Sequence, residues 1–179
     1  MADEYRFCPT CSTGLEPIEL LEDSGLKTRL RCPACQWTHL NNPTPVLAAV
    51  IECADQGGQL LLARNAAWSG RMFALITGFM EAGETPEEGI AREVTEETSL
   101  EVLALSLIAV YDFQRMNQVI IAYHALARGT VRLSPELSEY QLFSPEDVVC
   151  WPAGTGYALA DWLRRHGHEP RFMDLPRRP

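Results

Sequence analysis

The sequence predicts an α+β domain preceded by a small separate module, and three features support this prediction. Two C-x-x-C pairs occupy the first 35 residues, strand-like apolar segments joined by turn signals follow from residue 46 onward, and two segments have helical spacing. With 179 residues, of which 46% are apolar and 22% are charged, the chain is long enough to bury a core.

Composition also limits the class of protein. No apolar run reaches the roughly 18 residues that a membrane span requires. The first ten residues, "MADEYRFCPT", lack the basic and apolar regions of a signal peptide. The net charge of −9 makes general attraction to nucleic acid unfavourable. We therefore expect a cytoplasmic protein with neither a membrane nor a nucleic acid as its partner.

The first module contains four regularly spaced cysteines, Cys8 and Cys11 in "CPTC" and Cys32 and Cys35 in "CPAC". Two such pairs, 20 residues apart, are typical of a zinc site with four thiolate ligands. Between them, "LEPIELLE" and "LKTRLRC" predict two strands joined at "DSG". We predict a zinc ribbon over residues 1–40, with a structural metal because four thiolates leave no open coordination position. The alternative is two redox-active or unpaired cysteine pairs.

The second module begins after "NNPTP" (41–45), whose prolines favour extended chain. "VLAAVIEC" and "QLLLAR" predict a hairpin that turns at "DQGG". We expect one domain over residues 41–170.

The remaining elements alternate between helix and strand. "TPEEGIAREVTEETSL" predicts a helix that starts with a capping box, since Thr85 can cap, Pro86 suits the first helical position and Glu88 lies three residues after the cap. "EVLALSLIAVYDF" and "QVIIAYHALARG" predict strands, "SPEDV" a short helix and "TGYALADWLRRHG" an amphipathic helix. Residues 171–179 are expected to form an irregular tail.

The first predicted helix carries an unusual concentration of carboxylates. Glu93, Glu96 and Glu97 are spaced i, i+3 and i+4, so they share one helix face. Such a face is either a solvated acidic surface or a site for a hard divalent cation such as Mg²⁺ or Mn²⁺. Spacing alone does not separate these two alternatives.

The wider pattern "GFMEAGETPEEGIAREVTEETSL", from Gly78 to Leu100, resembles the Nudix box, G-x5-E-x7-R-E-U-x-E-E-x-G-U, where U is a bulky aliphatic residue. Eight of the nine defined positions match, and the exception is Ser99, which replaces a glycine. Glycine at a helix C-terminus serves a left-handed cap. We expect serine there to cost about 1 kcal/mol or less and to leave activity intact.

The resemblance implies a Nudix fold, an α/β/α sandwich with a mixed sheet, and a hydrolase that uses Mg²⁺ or Mn²⁺. By position in the box, Glu93 and Glu97 are implied to be the main metal ligands, and Glu96 a further ligand or a group that orients water. The resemblance also implies roles for four neighbouring residues: Arg92 orients a carboxylate, Glu84 supports the arginine and the metal cluster, Thr77 offers its carbonyl as a ligand, and Gly78 lets the loop bend.

The general base is expected either on the helix or on a later loop, as in other members of the family. The segment "SPELSEY" offers Glu136 and Glu139, and Glu136 is favoured as a metal ligand or base. Both residues could instead be ordinary loop glutamates.

The ribbon followed by the box is similar to the NADH pyrophosphatases and plant FAD pyrophosphatases of this family, although their S-Q-P-W-P-F-P-x-S motif is absent. The implied reaction splits a nucleoside diphosphate linked to another moiety, namely FAD, ADP-ribose or NAD(H), into two monophosphates. Aromatic and polar side chains after the box are candidates for binding the substrate: Tyr111, Phe113, Arg115, Gln118 and Tyr123. The alternatives are hydrolysis of a nucleoside triphosphate and a non-catalytic module that senses a nucleotide or binds nucleic acid. The family resemblance also implies a homodimer.

Overall fold

The computed structural model of the protein describes residues 5–67, 69–70 and 72–174. The chain divides into two compact units, Met1–Pro43 and Thr44–Pro179. The end of the predicted tail, residues 175–179, falls outside the described residues, as do residues 1–4 of the predicted zinc ribbon. No helix among the described residues is long and apolar enough to cross a membrane.

The first unit is a small antiparallel sheet whose strands follow in chain order: β1 (Glu16–Glu22), β2 (Gly25–Arg31) and β3 (Thr38–His39). The hairpin predicted at "DSG" is confirmed, since Glu22 pairs with Gly25 across the turn. Strand β3 was not predicted, because two residues are too short to carry an alternating pattern. His39 on this strand stacks on Tyr5, with ring centroids 4.3 Å apart.

The second unit contains eight strands and two helices within its described residues: β4 (Thr44–Cys53), β5 (Gln59–Asn65), β6 (Ile76–Phe79), α1 (Pro86–Thr98), β7 (Glu101–Phe113), β8 (Gln118–Arg128), β9 (Leu137–Phe143), β10 (Val149–Cys150), α2 (Thr155–Arg165) and β11 (Arg171–Phe172). Its main sheet has the order β7-β8-β4-β5-β9, and β6 pairs with β4. Only the β4–β8 pair is parallel in this sheet, so the sheet is mixed as predicted.

Two hydrophobic cores lie on the two faces of this sheet. Along β4, Val50 contributes to the core that includes Leu159 of α2, whereas Ile51 contributes to the core that includes Ile90 and Val94 of α1. Successive side chains of a strand point to opposite faces, so α1 and α2 cover opposite faces of the sheet. The predicted α/β/α sandwich is confirmed.

Two predicted elements differ from the structure. "SPEDV" forms a turn rather than a helix, with the Asp147 amide donating to the Ser144 carbonyl at 2.9 Å. Helix nucleation is costly for so few residues, and burial of Val148 in the core holds the turn.

The expected irregular tail begins with β11, which pairs in parallel with β10. The Met173 amide donates to the Cys150 carbonyl at 2.9 Å, and the Met173 side chain packs against the core on the α2 side. Tertiary packing of this methionine fixes a segment whose own sequence carries no strand pattern.

Candidate active site

Helix α1 begins where the sequence predicts. The Glu88 amide donates to the Thr85 hydroxyl oxygen at 3.2 Å, and the Thr85 amide donates to the Glu88 carboxylate at 2.8 Å. Pro86 occupies the first helical position. This capping box provides hydrogen-bond acceptors for two amides at the helix start. It thereby sets the residue at which α1 begins and the position of each carboxylate along the helix.

Arg92 joins the carboxylates of the box. Its guanidinium donates to both carboxylate oxygens of Glu84, at 3.1 and 3.0 Å, to Glu93 at 2.8 Å and to Glu96 at 3.1 Å. These contacts raise the pKa of Arg92, with Glu84 as the largest cause, and Arg92 in turn lowers the pKa of Glu84. A single cation therefore offsets the repulsion among three neighbouring carboxylates.

Glu97 lies in a different environment. Its side chain is only 8% exposed, and its pKa is raised to about 7, first by burial and then by the negative charges of Glu93, Glu136 and Glu96. Burial and like charges both disfavour the ionised form. A divalent cation at this position would reverse both effects, because it would favour the carboxylate.

Strand β6 passes directly beside these carboxylates. A Cβ atom added at Gly78 would collide with the Glu93 carboxylate, so glycine is required for this close approach. The preceding residue, Thr77, is exposed. The backbone next to Thr77 thus lies against one of the implied metal ligands.

The two candidate glutamates near β9 occupy different places. Glu136 immediately precedes the strand and contributes to the raised pKa of Glu97. Glu139 lies within the strand, pairs across the ladder with Arg64 and makes an ion pair with it at 3.1 Å. The neighbouring ladder pair is Ala63 with Tyr140, and Ala63 belongs to the core on the α1 face. Because side chains alternate along a strand, Glu139 lies on the other face. The Ser134 amide, two residues before Glu136, donates to the Glu97 carbonyl at 3.0 Å, so the chain leading to Glu136 is held at the end of α1, whereas Glu139 is paired with Arg64.

The oxygen donors of α1 suit a hard divalent cation. Among the described residues, only the four cysteines bring three or more potential ligand atoms within 4.8 Å of one another. The carboxylate oxygens of α1 do not form such a compact group. The carboxylates of α1 are therefore more widely spread than a closed ligand cage. An open arrangement is consistent with Mg²⁺, which usually keeps several waters and is shared between one or two carboxylates and the phosphates of a substrate.

A cavity of about 540 Å³ lies on the α2 side of β6. Its walls are mainly apolar, and its polar groups come from a few side chains. The residues that line it are Val46, Met72, Ala74, Leu75, Thr77, Phe113, Arg115, Met116, Gln118, Ile120, Trp151, Ala153, Gly154 and Thr155. Its size and character are typical of small-molecule sites. Thr77 lines this cavity and Gly78 lies against Glu93, so the cavity and the carboxylates approach β6 from its two opposite faces, at adjacent residues.

Three of the predicted substrate contacts line this cavity, namely Phe113, Arg115 and Gln118. The Arg115 guanidinium lies over the Phe113 ring, 5.6 Å from its centroid. The other two aromatic candidates have structural partners: the Tyr111 hydroxyl donates to Asp161 at 2.8 Å, and the buried Tyr123 donates to Glu87 at 2.6 Å.

Several wall residues of the cavity were not predicted. Val46, Met72 and Trp151 come from three distant segments of the chain, and their apolar side chains carry no local functional signal. Gly89 was also missed. A Cβ atom there would meet both Glu84 and Leu47, so this glycine lets α1 lie close to β4.

The four cysteines of the first unit converge as expected. Sγ–Sγ distances are 3.4 Å for Cys8–Cys35, 3.4 Å for Cys11–Cys32 and 3.6 Å for Cys11–Cys35. Tetrahedral Zn²⁺ with Zn–S bonds of about 2.3 Å places its sulfurs about 3.8 Å apart, so the cluster needs to expand by only a few tenths of an ångström. Backbone amides approach two of the sulfurs, Cys8 and Cys32, at 3.4 Å.

The family model described as NUDIX domain matches residues 43–165, which is more than half of the chain. The chain belongs to the Nudix family. This membership confirms the resemblance found in the box from Gly78 to Leu100.

Individual relatives agree with this Nudix assignment. The chain is 28% identical over 159 residues to an NAD-capped RNA hydrolase NudC from Pseudomonas putida, covering 88% of this chain and 54% of the relative. It thus spans about half the length of the curated relatives that it matches. A Nudix hydrolase from Nitrosomonas europaea is similar in structure, with a TM-score of 0.72, 27% identity and coverage of 94% of this chain and 96% of that one. An ADP-ribose pyrophosphatase from Streptococcus suis shares the fold, with a TM-score of 0.52, 22% identity and coverage of 74% and 100%.

Proposed function

We propose that this Nudix protein hydrolyses the pyrophosphate bond of a nucleoside diphosphate linked to another moiety, and releases two monophosphates. One observation carries the proposal: Glu93, at the edge of the carboxylate group, touches β6 at Gly78, and the adjoining Thr77 lines the cavity. A substrate whose ring binds in the cavity would extend its phosphates past β6 to reach the carboxylates.

Mg²⁺ or Mn²⁺ would be held by the carboxylates of Glu93 and Glu97, with Glu96, Glu136 and the Thr77 carbonyl as further donors. The metal would neutralise phosphate oxygens and lower the pKa of bound water. Arg92 fixes the orientation of Glu93 and Glu96, and Glu84 fixes that of Arg92. These side chains then need little reorganisation when the cation and the substrate arrive.

A carboxylate must also accept a proton from the attacking water. We assign this role to Glu136 in preference to Glu139, because the Ser134 amide two residues before Glu136 is hydrogen-bonded to the Glu97 carbonyl, whereas the Glu139 carboxylate is paired with Arg64. Glu96 is the remaining candidate, since its side chain is well exposed and reaches solvent beside Arg92.

The character of the cavity and the activities named for similar proteins support a choice of substrates. The mainly apolar walls, with Phe113 and Arg115 at one side, favour a planar ring such as adenine, nicotinamide or flavin. One group of relatives bears the name NAD-capped RNA hydrolase and a fold neighbour is named ADP-ribose pyrophosphatase. We therefore propose NAD(H), ADP-ribose and FAD as the substrates to test.

A substrate panel with Mn²⁺ tests this function. The panel contains FAD, NADH, NAD⁺, ADP-ribose, a dinucleoside polyphosphate and a deoxynucleoside triphosphate, and products are identified by chromatography. We expect two monophosphates from a dinucleotide, and a loss of about a hundredfold or more in kcat for Glu97→Gln. Glu139→Gln is the matched control and should retain activity. Pyrophosphate released from a triphosphate would instead identify an enzyme of the nucleotide pool, and no hydrolysis of any substrate would favour a nucleotide sensor.

We also propose that Cys8, Cys11, Cys32 and Cys35 bind one structural Zn²⁺, supported by sulfur spacings close to those of a tetrahedral site. A zinc site of four thiolates favours a cytoplasmic location, where thiols are kept reduced. A homodimer remains part of the proposal on the grounds of family resemblance, and the net charge of −9 disfavours nucleic acid as a general partner.

A further inference from the structure

The serine that replaces glycine in the box makes a contact that glycine cannot make. Ser99 adopts the left-handed conformation, with φ 60° and ψ 17°, and its amide donates to the Thr95 carbonyl at 2.8 Å. This is the backbone geometry for which glycine is usual. The Ser99 hydroxyl also donates to the Arg132 carbonyl at 3.2 Å.

Arg132 belongs to the segment 129–136 that links β8 to β9, and two backbone hydrogen bonds hold this segment against the end of α1. The Arg132 amide donates to the Thr98 carbonyl at 2.9 Å, and the Ser134 amide donates to the Glu97 carbonyl at 3.0 Å. The last carbonyls of a helix lack partners within the helix. Here the linking segment supplies those partners.

The same segment positions Glu136. The Glu136 amide donates to the Ser134 hydroxyl at 3.3 Å, and the Glu136 carbonyl accepts from the Ala66 amide at 2.8 Å. A chain of hydrogen bonds therefore runs from the C-terminus of α1 through the linking segment to the backbone of Glu136.

We propose that Ser99 is a positioning residue, whose hydroxyl fastens the 129–136 segment to α1 and so holds Glu136 beside Glu97. The proposal rests on the proposed function, in which Glu136 acts in catalysis. Three hydrogen bonds join the end of α1 to this segment, one each at Ser99, Thr98 and Glu97. Glycine in place of Ser99 would keep the left-handed cap but would remove the first of these bonds.

The kinetic test compares Ser99→Gly with Ser99→Ala. Both variants lose the hydroxyl, but only alanine keeps a Cβ in the left-handed conformation. For a positioning role we expect both to lower kcat by about tenfold, with KM changed less than twofold. A role confined to the helix cap predicts instead that both variants retain full kcat, because the cap is made by the backbone amide and alanine keeps the Cβ that serine already has.

A double-mutant cycle connects the effect to Glu136. In a Glu136→Gln background, Ser99→Gly should leave the residual kcat unchanged, because the group that Ser99 positions has already been removed. An equal fractional loss in both backgrounds would overturn the proposal. Ser12→Gly is the matched control, since Ser12 is also a serine with φ 60° but lies in the first unit.

Hydrogen exchange provides a measurement that does not require turnover. We expect the amides of Arg132 and Ser134 to exchange at least about threefold faster in Ser99→Gly than in the wild type, and at unchanged rates in Ser12→Gly. Unchanged exchange in Ser99→Gly would refute the tether even if the enzyme is active. Faster exchange in a protein that hydrolyses no substrate would instead leave the tether intact and reject the proposed function.

Discussion

Individual residues of the site combine charge with close packing. Arg92 offsets the repulsion of Glu84, Glu93 and Glu96, whereas Glu97 is buried with a pKa raised to about 7. The cluster therefore contains three carboxylates held by one guanidinium and one, Glu97, whose ionisation a cation would promote. This division of roles depends on burial, which the spacing of glutamates in the sequence does not reveal.

Replacement of Gly78 tests the packing of Glu93. An added methyl group in Gly78→Ala would collide with the Glu93 carboxylate, which must then move by about an ångström. We expect kcat with Mn²⁺ to fall by about a hundredfold, while overpacking destabilises the protein by about 1–3 kcal/mol.

Gly70→Ala is the control for this change, because the nearest heavy atom to its added Cβ, the Met72 amide nitrogen, lies 4.0 Å away. Steady-state kinetics and thermal unfolding of both variants separate the loss of activity from a loss of folded protein. Full activity in Gly78→Ala would contradict the placement of Glu93 at the reaction centre.

At the level of elements, α1 owes its position to its two ends and to the sheet. The capping box fixes the start, the left-handed Ser99 fixes the end, and Gly89 permits close contact with β4. The start could be predicted from Thr85, Pro86 and Glu88, because capping is local chemistry. The contacts at the end could not, because their partners lie more than thirty residues away.

Removal of the cap tests how much α1 depends on its own start signal. Thr85→Ala deletes the side chain that accepts from the Glu88 amide, and we expect a loss of about 1 kcal/mol in the free energy of unfolding. Urea unfolding measures this loss, with Thr130→Ala at an exposed loop position as the control. A loss below about 0.3 kcal/mol, equal to that of the control, would show that packing on the sheet alone holds the helix.

On the scale of the whole molecule, the chain combines a unit stabilised by a buried core with one that has little core of its own. The Nudix unit buries residues on both faces of its sheet, whereas Cys8 and Cys32 are the only fully buried residues among those described in the first unit. A segment of this size needs a metal or a similar constraint to fold.

Zinc removal should therefore affect the two units differently. We expect one zinc per chain in the wild type and none in Cys11→Ser, together with rapid proteolysis within residues 5–43 and an unchanged unfolding temperature for the Nudix unit. Metal analysis, limited proteolysis and calorimetry provide the three measurements. Cys53→Ala is the control, because Cys53 is buried in the Nudix core and its loss should leave the zinc content unchanged.

The family, the two-module order, the start of α1 and the residues of the box could all be predicted from the amino-acid sequence, because each depends on local spacing along the chain. Which later residues join them depends on the folded structure. The fold holds the segment before Glu136 against Glu97, pairs Glu139 with Arg64, and assembles the cavity from distant segments. The physical reason is that strand alternation and core packing decide which side chains meet, and both depend on contacts between residues far apart in sequence. Ser99 shows both aspects: its place at the helix end follows from the box, whereas its bond to Arg132 exists only in the fold.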